Sequence, residues 1–132
     1  KTQFLFSVLD SLNLCAFVFG SSYQLYGPED IVLAVNAVTG WDTTIDEILE
    51  LGKRRLNMLR VFNAREGFDK ESDKLPIRFF DTPLQGGPSN DFIVDKHKFD
   101  SALVHYYDLC GWDPETGNPS LETLKQLGIE NI

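Results

Sequence analysis

The sequence predicts an all-α fold: an irregular multi-helix domain with a long non-helical excursion near residues 69–94. Apolar residues recur at helical spacing along most of the chain. Helix starts and stops bracket those stretches: Pro28, Thr44, Asp95 and Ser120 open them, and Gly40, Gly67 and Gly128 close them. Between 69 and 94 the periodicity lapses, and Pro76, Pro83, Gly86, Gly87 and Pro88 punctuate the chain. At 132 residues the chain is expected to be one domain, 1–132. That length suffices to bury roughly two-thirds of its unfolded surface.

Residues 2–12 read as a buried helix, and 20–28, "GSSYQLYGP", as a loop. Pro28 suits a first helical position because its missing N–H has no partner there, and Glu29 and Asp30 suit the positive end of the helix dipole. The helix it opens runs to about Thr39. Ile31, Val32, Leu33, Val35 and Val38 surround it with apolar groups, which predicts burial on most sides. Thr44 and Glu47 form a capping-box pattern for a long helix to about Arg65. Its expected stripe is Ile45, Ile48, Leu49, Gly52, Leu56, Leu59 and Phe62. Gly52 on that stripe costs about 1 kcal/mol of helix propensity, so it is expected to admit another helix closely. Glu50 and Arg54 can pair on the wet face.

Asp95 is placed to cap a helix over 96–110, with the stripe Phe99, Ala102, Leu103, Tyr106 and Cys110. Ser120 caps a last short helix to about Leu127. "GWD" occurs at 40–42 and again at 111–113, each time after a helix. The sequence around the copies does not align further. The triplet therefore reads as a stop device: a left-handed glycine, then a tryptophan folding back on the helix.

Net charge is -8. A phosphate backbone would be repelled, as would an anionic membrane surface, so neither nucleic acid nor membrane is an expected partner. No apolar run approaches the roughly 18 residues of a membrane span. The residues after Lys1 show no signal-peptide pattern, and two cysteines are too few for a disulfide framework. A reduced, cytoplasmic setting is expected. The start at Lys1 suggests a piece of a longer chain.

His97 and His105 lie more than two turns apart on one helix and cannot chelate one ion together, so they read as surface residues. "QGGPSN" is a turn rather than a phosphate loop, since neither a lysine nor a helix follows. No nucleophile is set beside a base, so no catalytic residue is expected within the chain. Cys110 lies on an apolar stripe and reads as a small buried hydrophobe.

The stretch "DSLNLC", residues 10–15, is different. One reading is a helix end with a buried thiol. The other is a break that points at a cofactor. Asn13 tolerates the left-handed conformation that closes a helix. Such an end would expose backbone N–H groups near Cys15, and those stabilise the charge of an iron–sulfur ligand. Asp10 could accept hydrogen bonds from an N–H-rich ligand.

"DSLNLC" and "YGPEDIVLAVNAVTGWDTTIDEILELGKRRLNMLRVFNAREGF" closely resemble the C-terminal helical domain of the tungsten-containing aldehyde:ferredoxin oxidoreductase family. "DKLPIRFF", "PLQGGP" and "YYDLCGWDPETGNPSLETLKQLGI" continue the likeness, in order, over nearly the entire chain. Asn13 stands where the family's Asp-x-x-Gly-Leu-Cys motif has glycine. The resemblance implies an enzyme that turns an aldehyde and water into a carboxylic acid and passes electrons to ferredoxin. It implies a [4Fe–4S] cluster and a tungsten (or molybdenum) bis-pterin, both shared with upstream domains of the same chain. On this resemblance Cys15 is the fourth cluster ligand, Asp10 contacts a pterin, and the backbone around Leu14 lines it. Cys110 inherits no ligand role. This piece alone is expected to be inactive. Ferredoxins are usually acidic, so ferredoxin is expected to dock elsewhere on the complete enzyme. The alternative is a stand-alone helical scaffold or interaction module that has lost the cofactor. Such a module should cover Cys15, whereas a detached half-site should leave it facing solvent.

Overall fold

The computed structural model describes residues 1–20 and 25–132. Residues 21–24 of the loop expected at 20–28 lie outside the described residues. Among those described there is no β-strand, and the α-helices are α1 (Thr2–Ser11), α2 (Ala16–Phe19), α3 (Pro28–Thr39), α4 (Ile45–Arg65), α5 (Arg78–Asp81), α6 (Lys96–Cys110) and α7 (Leu121–Gln126). The all-α expectation holds, and the excursion at 69–94 contains only α5 and isolated single turns. No described helix is long and apolar enough to cross a membrane.

Local chemistry sets the helix boundaries. Pro28 opens α3, and the Gly27 N–H donates to Asp30 Oδ2 at 2.7 Å. The capping box of α4 forms in both directions. Thr44 N donates to Glu47 Oε2 at 2.8 Å, and Glu47 N donates to Thr44 Oγ1 at 3.3 Å. Asp95 accepts from Lys98 N, and Ser120 Oγ from Thr123 N. Gly40 and Gly111 stop α3 and α6 in the left-handed region, at φ 75° and 73°.

The chain divides into two compact units: Lys1–Arg60 with Leu124–Ile132, and Val61–Thr123. In the first, Leu5, Val8, Leu9, Ile31 and Ile48 form the buried core, with Phe6, Leu12, Leu14, Phe19, Val32, Val35 and Leu49 packed against it. Each fully buried aliphatic side chain is worth about 1.5–3 kcal/mol over leaving it in water. Gly52 does what its position on the stripe predicts: a Cβ there would fall on the Phe4 carbonyl of α1 and 2.9 Å from Val8 Cγ2. The α3–α4 turn is clasped by Asn36, whose amide bonds both N–H and C=O of Thr43. Arg54 pairs with Glu50 at 3.2 Å, as expected, and its Nε donates to the Leu127 carbonyl.

In the second unit Tyr107 and Cys110 are buried, and Trp112 meets Tyr106 edge-to-face at 5.5 Å and lies tilted against Tyr107 at 5.9 Å. The Tyr107 hydroxyl donates to Asp73 Oδ2 at 2.7 Å, which ties α6 to the excursion. Asp113 accepts from the N–H groups of Thr116 and Glu115 and so organises the following turn.

Burial departs from the sequence expectations at four places. Of the apolar residues on α3 only Ile31 is fully buried, and Val38 is 86% exposed, because the core touches one side of that helix. On α4 the expected stripe residues Leu59 and Phe62 are exposed while Asn57 and Arg60 are buried. On α6 Ala102 is exposed and Tyr107 takes the core position, drawn there by its bond to Asp73. Trp112 folds back as expected, but Trp41 is 68% exposed, so the two "GWD" copies share the glycine stop and not the tryptophan packing.

Candidate functional site

The site begins where α1 ends. Leu14 N donates to Leu9 O at 2.9 Å and Asn13 N to Asp10 O at 3.4 Å, the paired bonds of a Schellman closure. Asn13 sits at φ 55°, in the left-handed conformation that the closure requires. Within the closure itself no backbone N–H is left open: Leu12, Asn13 and Leu14 all donate to carbonyls of α1. Among the described residues, the open amides near Cys15 are its own and those of Ala16 and Phe17, in the first turn of α2, which Cys15 precedes as N-cap. The Cys15 carbonyl already accepts from Val18 N and Phe19 N.

Cys15 is a free, exposed thiol, and Phe17 beside it is 96% exposed. Leu14 packs against the core and uses its N–H within the closure, so only its carbonyl is left for a ligand. Asp10 lies in the last turn of α1, where the negative end of the helix dipole disfavours a carboxylate by about 0.3–1 kcal/mol. Arg55 of α4 answers it: Nη1 lies 3.2 Å from Asp10 Oδ2 and donates to Ser7 Oγ at 3.3 Å. With side-chain exposures of 36% and 64%, this pair belongs to the class worth about 0–1 kcal/mol, so it roughly offsets the dipole penalty. Arg55 has no local pattern to announce it. Its one signal is its place a turn beyond Gly52, on the face of α4 that meets α1.

Cys110, buried at 1% exposure, takes no part. His97 and His105 are exposed and apart from any such cluster. Among the described residues no group of three or more His, Cys, Asp or Glu side chains could hold a metal ion, so Cys15 completes no metal site by itself. Among the described residues, backbone donors hold three carboxylates below their ordinary range: Glu47, through the Thr44 N–H, Asp95, through Lys98 N–H, and Asp113, through Thr116 N–H. All three are caps or turn anchors. Within the second unit an open cleft of about 900 Å³ is lined by Leu75, Phe80, Phe99, Leu103 and Tyr107 with Lys96 at hand. It contains no nucleophile set beside a base.

The profile described as "Aldehyde ferredoxin oxidoreductase, domains 2 & 3" matches residues 1–129. A tungsten-containing aldehyde ferredoxin oxidoreductase of Pyrococcus horikoshii is 38% identical over 98% of this chain, and one of Pyrococcus furiosus is 37% identical over 96%. The chain spans about 20% of the length of each of these relatives. Among solved structures, the active-site complex BamBC of benzoyl coenzyme A reductase with 1,5-dienoyl-CoA superposes with a TM-score of 0.76. That match has 23% identity, covers 98% of this chain and 18% of the other, and shows a shared fold.

Proposed function

Because the chain belongs to the aldehyde ferredoxin oxidoreductase family, we propose that it serves as the C-terminal part of a tungsten–pterin oxidoreductase. Upstream domains of the same chain complete that enzyme. In this reading Cys15 supplies one ligand to a [4Fe–4S] cluster, Asp10 accepts from a pterin, and the backbone at Leu14 lines it. The redox chemistry, in which an aldehyde and water give a carboxylic acid and an electron pair bound for ferredoxin, is the cofactor's.

The observation that carries the proposal is the exposure of Cys15, with Phe17 beside it, directly after a helix whose preceding turns are buried. A thiolate ligand must reach its metal, and a scaffold that had lost the cofactor should cover such a residue. The donor set fits the implied groups: one open thiol, one carboxylate with an uncommitted oxygen, and one carbonyl. The chain's own work is placement. The Schellman closure fixes the turn between Asp10 and Cys15, and the α1–α4 contact at Gly52 holds α1 in place. The acidic balance of this piece favours ferredoxin docking on another part of the enzyme, in the cytoplasm.

The test is substitution in the complete enzyme. Cys15→Ser should alter or abolish the paramagnetic resonance signal of the reduced cluster, and an unchanged spectrum refutes the ligand assignment. Asp10→Asn should lower pterin and tungsten occupancy more than iron, and equal retention of both with full activity refutes the pterin contact. A salt-dependent crosslink between ferredoxin and this segment would overturn the docking argument.

A further inference from the structure

We propose that Arg55 is a positioning residue for Asp10 in the cofactor-loaded enzyme. This deepens the pterin reading above and rests on it. Ser7 and Asp10 lie three residues apart on one face of α1, and the Arg55 Nη1 reaches both, at 3.3 Å and 3.2 Å. Ser7 is buried, so its hydroxyl anchors the guanidinium one turn below the carboxylate. The reach of Arg55 is set by backbone packing. Gly52, a turn earlier on α4, brings the helices so close that a Cβ would strike the Phe4 carbonyl.

The pair engages Asp10 Oδ2 and leaves Oδ1 without a contact among the described residues. The ion pair biases the carboxylate toward Arg55 at one oxygen and leaves the other open to an N–H donor. A carboxylate accepts hydrogen bonds at both oxygens, which suits the amide and amino edge of a pterin. An exposed pair that roughly cancels a dipole penalty adds little to folding, so its effect falls on orientation. Outer groups that orient a ligand-binding side chain commonly change affinity by roughly 10–100-fold. The low end applies here because the pair is partly solvated.

The experiment uses the complete enzyme and compares Arg55→Met, Arg55→Lys, Asp10→Asn and the double variant Asp10→Asn/Arg55→Met. Tungsten and iron content are followed through dialysis, alongside the thermal midpoint. Arg55→Met should lose tungsten about tenfold faster than the unmodified enzyme while iron and the midpoint hold. Arg55→Lys should recover part of that loss, since an ammonium restores the charge without the guanidinium fork. The double variant should be no worse than Asp10→Asn, because Arg55 acts through Asp10. If Arg55→Met keeps its tungsten while Asp10→Asn loses it, the positioning role fails and the pterin contact stands. If neither loses tungsten, the pterin contact itself fails. Parallel loss of iron, tungsten and thermal midpoint in Arg55→Met would make Arg55 a structural prop and overturn the inference.

Discussion

Replacing Gly52 by alanine sets two physical effects against each other, and the geometry decides between them. On an exposed helix the change stabilises by about 1 kcal/mol through propensity. Here the new methyl would fall on the Phe4 carbonyl and lie 2.9 Å from Val8 Cγ2. The Val8 methyl can turn aside, but the carbonyl belongs to the backbone of α1 and moves only with the helix. Overpacking of this kind costs about 1–3 kcal/mol, and a backbone obstacle places it at the upper end. Subtracting the propensity gain leaves a net loss near 2 kcal/mol, concentrated on α1. Hydrogen exchange of α1 amides in the complete protein reads this directly, and a loss of that size speeds exchange by roughly 30-fold. Unchanged or slower exchange would mean that propensity wins and that α1 does not sit on Gly52.

Asn13→Ala should cost about 1–2 kcal/mol, because alanine resists the left-handed conformation at φ 55°, while Asn13→Gly should match or exceed the native stability; equal urea midpoints for all three would remove the Schellman argument. In the 132-residue chain Trp112→Ala should destabilise by about 3–5 kcal/mol and Trp41→Ala by less than about 0.5 kcal/mol, read by urea unfolding, since only Trp112 is buried. Glu47, Asp95 and Asp113 have folded-state pKa values below those of the unfolded chain, so their contribution is present above the ordinary carboxylate range and is lost as pH falls through their folded values. Asp113→Asn keeps an acceptor for Thr116 N and cannot titrate, so its thermal midpoint should fall less steeply below about pH 4 than that of the native chain.

Helix ends were legible because their causes are local. The Thr44–Glu47 box, the Asp95 and Ser120 caps and the Asn13 closure each join groups a few residues apart, so residue type and spacing suffice to find them. Gly52 was legible for another reason: a residue unfavourable to its helix needs a compensating contact. Burial was less legible because it depends on what arrives from elsewhere. Tyr107 and Ala102 exchange their expected places because a hydroxyl finds Asp73 across the chain. The exposed Leu59, Phe62, Val38 and Trp41 carry apolar patterns that the described residues do not cover. Asp10 and Cys15 could be named from their motif, whereas Arg55, 45 positions along the chain from Asp10, could not.

The end of α1 also separates what folding requires from what function would require. Leu9, Asp10, Asn13 and Leu14 satisfy one another through the closure, so the break forms without any ligand. A cofactor is therefore no explanation of the turn. What the closure does not explain is the abrupt change in burial across it. Leu5, Val8 and Leu9 are at most 4% exposed, and within a few residues Cys15 is open and Phe17 is 96% exposed. A helix end built for stability alone would favour a polar residue at those positions, because an exposed phenylalanine beside a thiol gains nothing in water. Replacing Phe17 by serine should leave the stability of the 132-residue chain within about 0.5 kcal/mol. The same change should impair iron retention in the complete enzyme if the residue shields a cluster. Loss of stability in the chain by itself would mean that Phe17 belongs to the fold, and the functional argument from its exposure would fall.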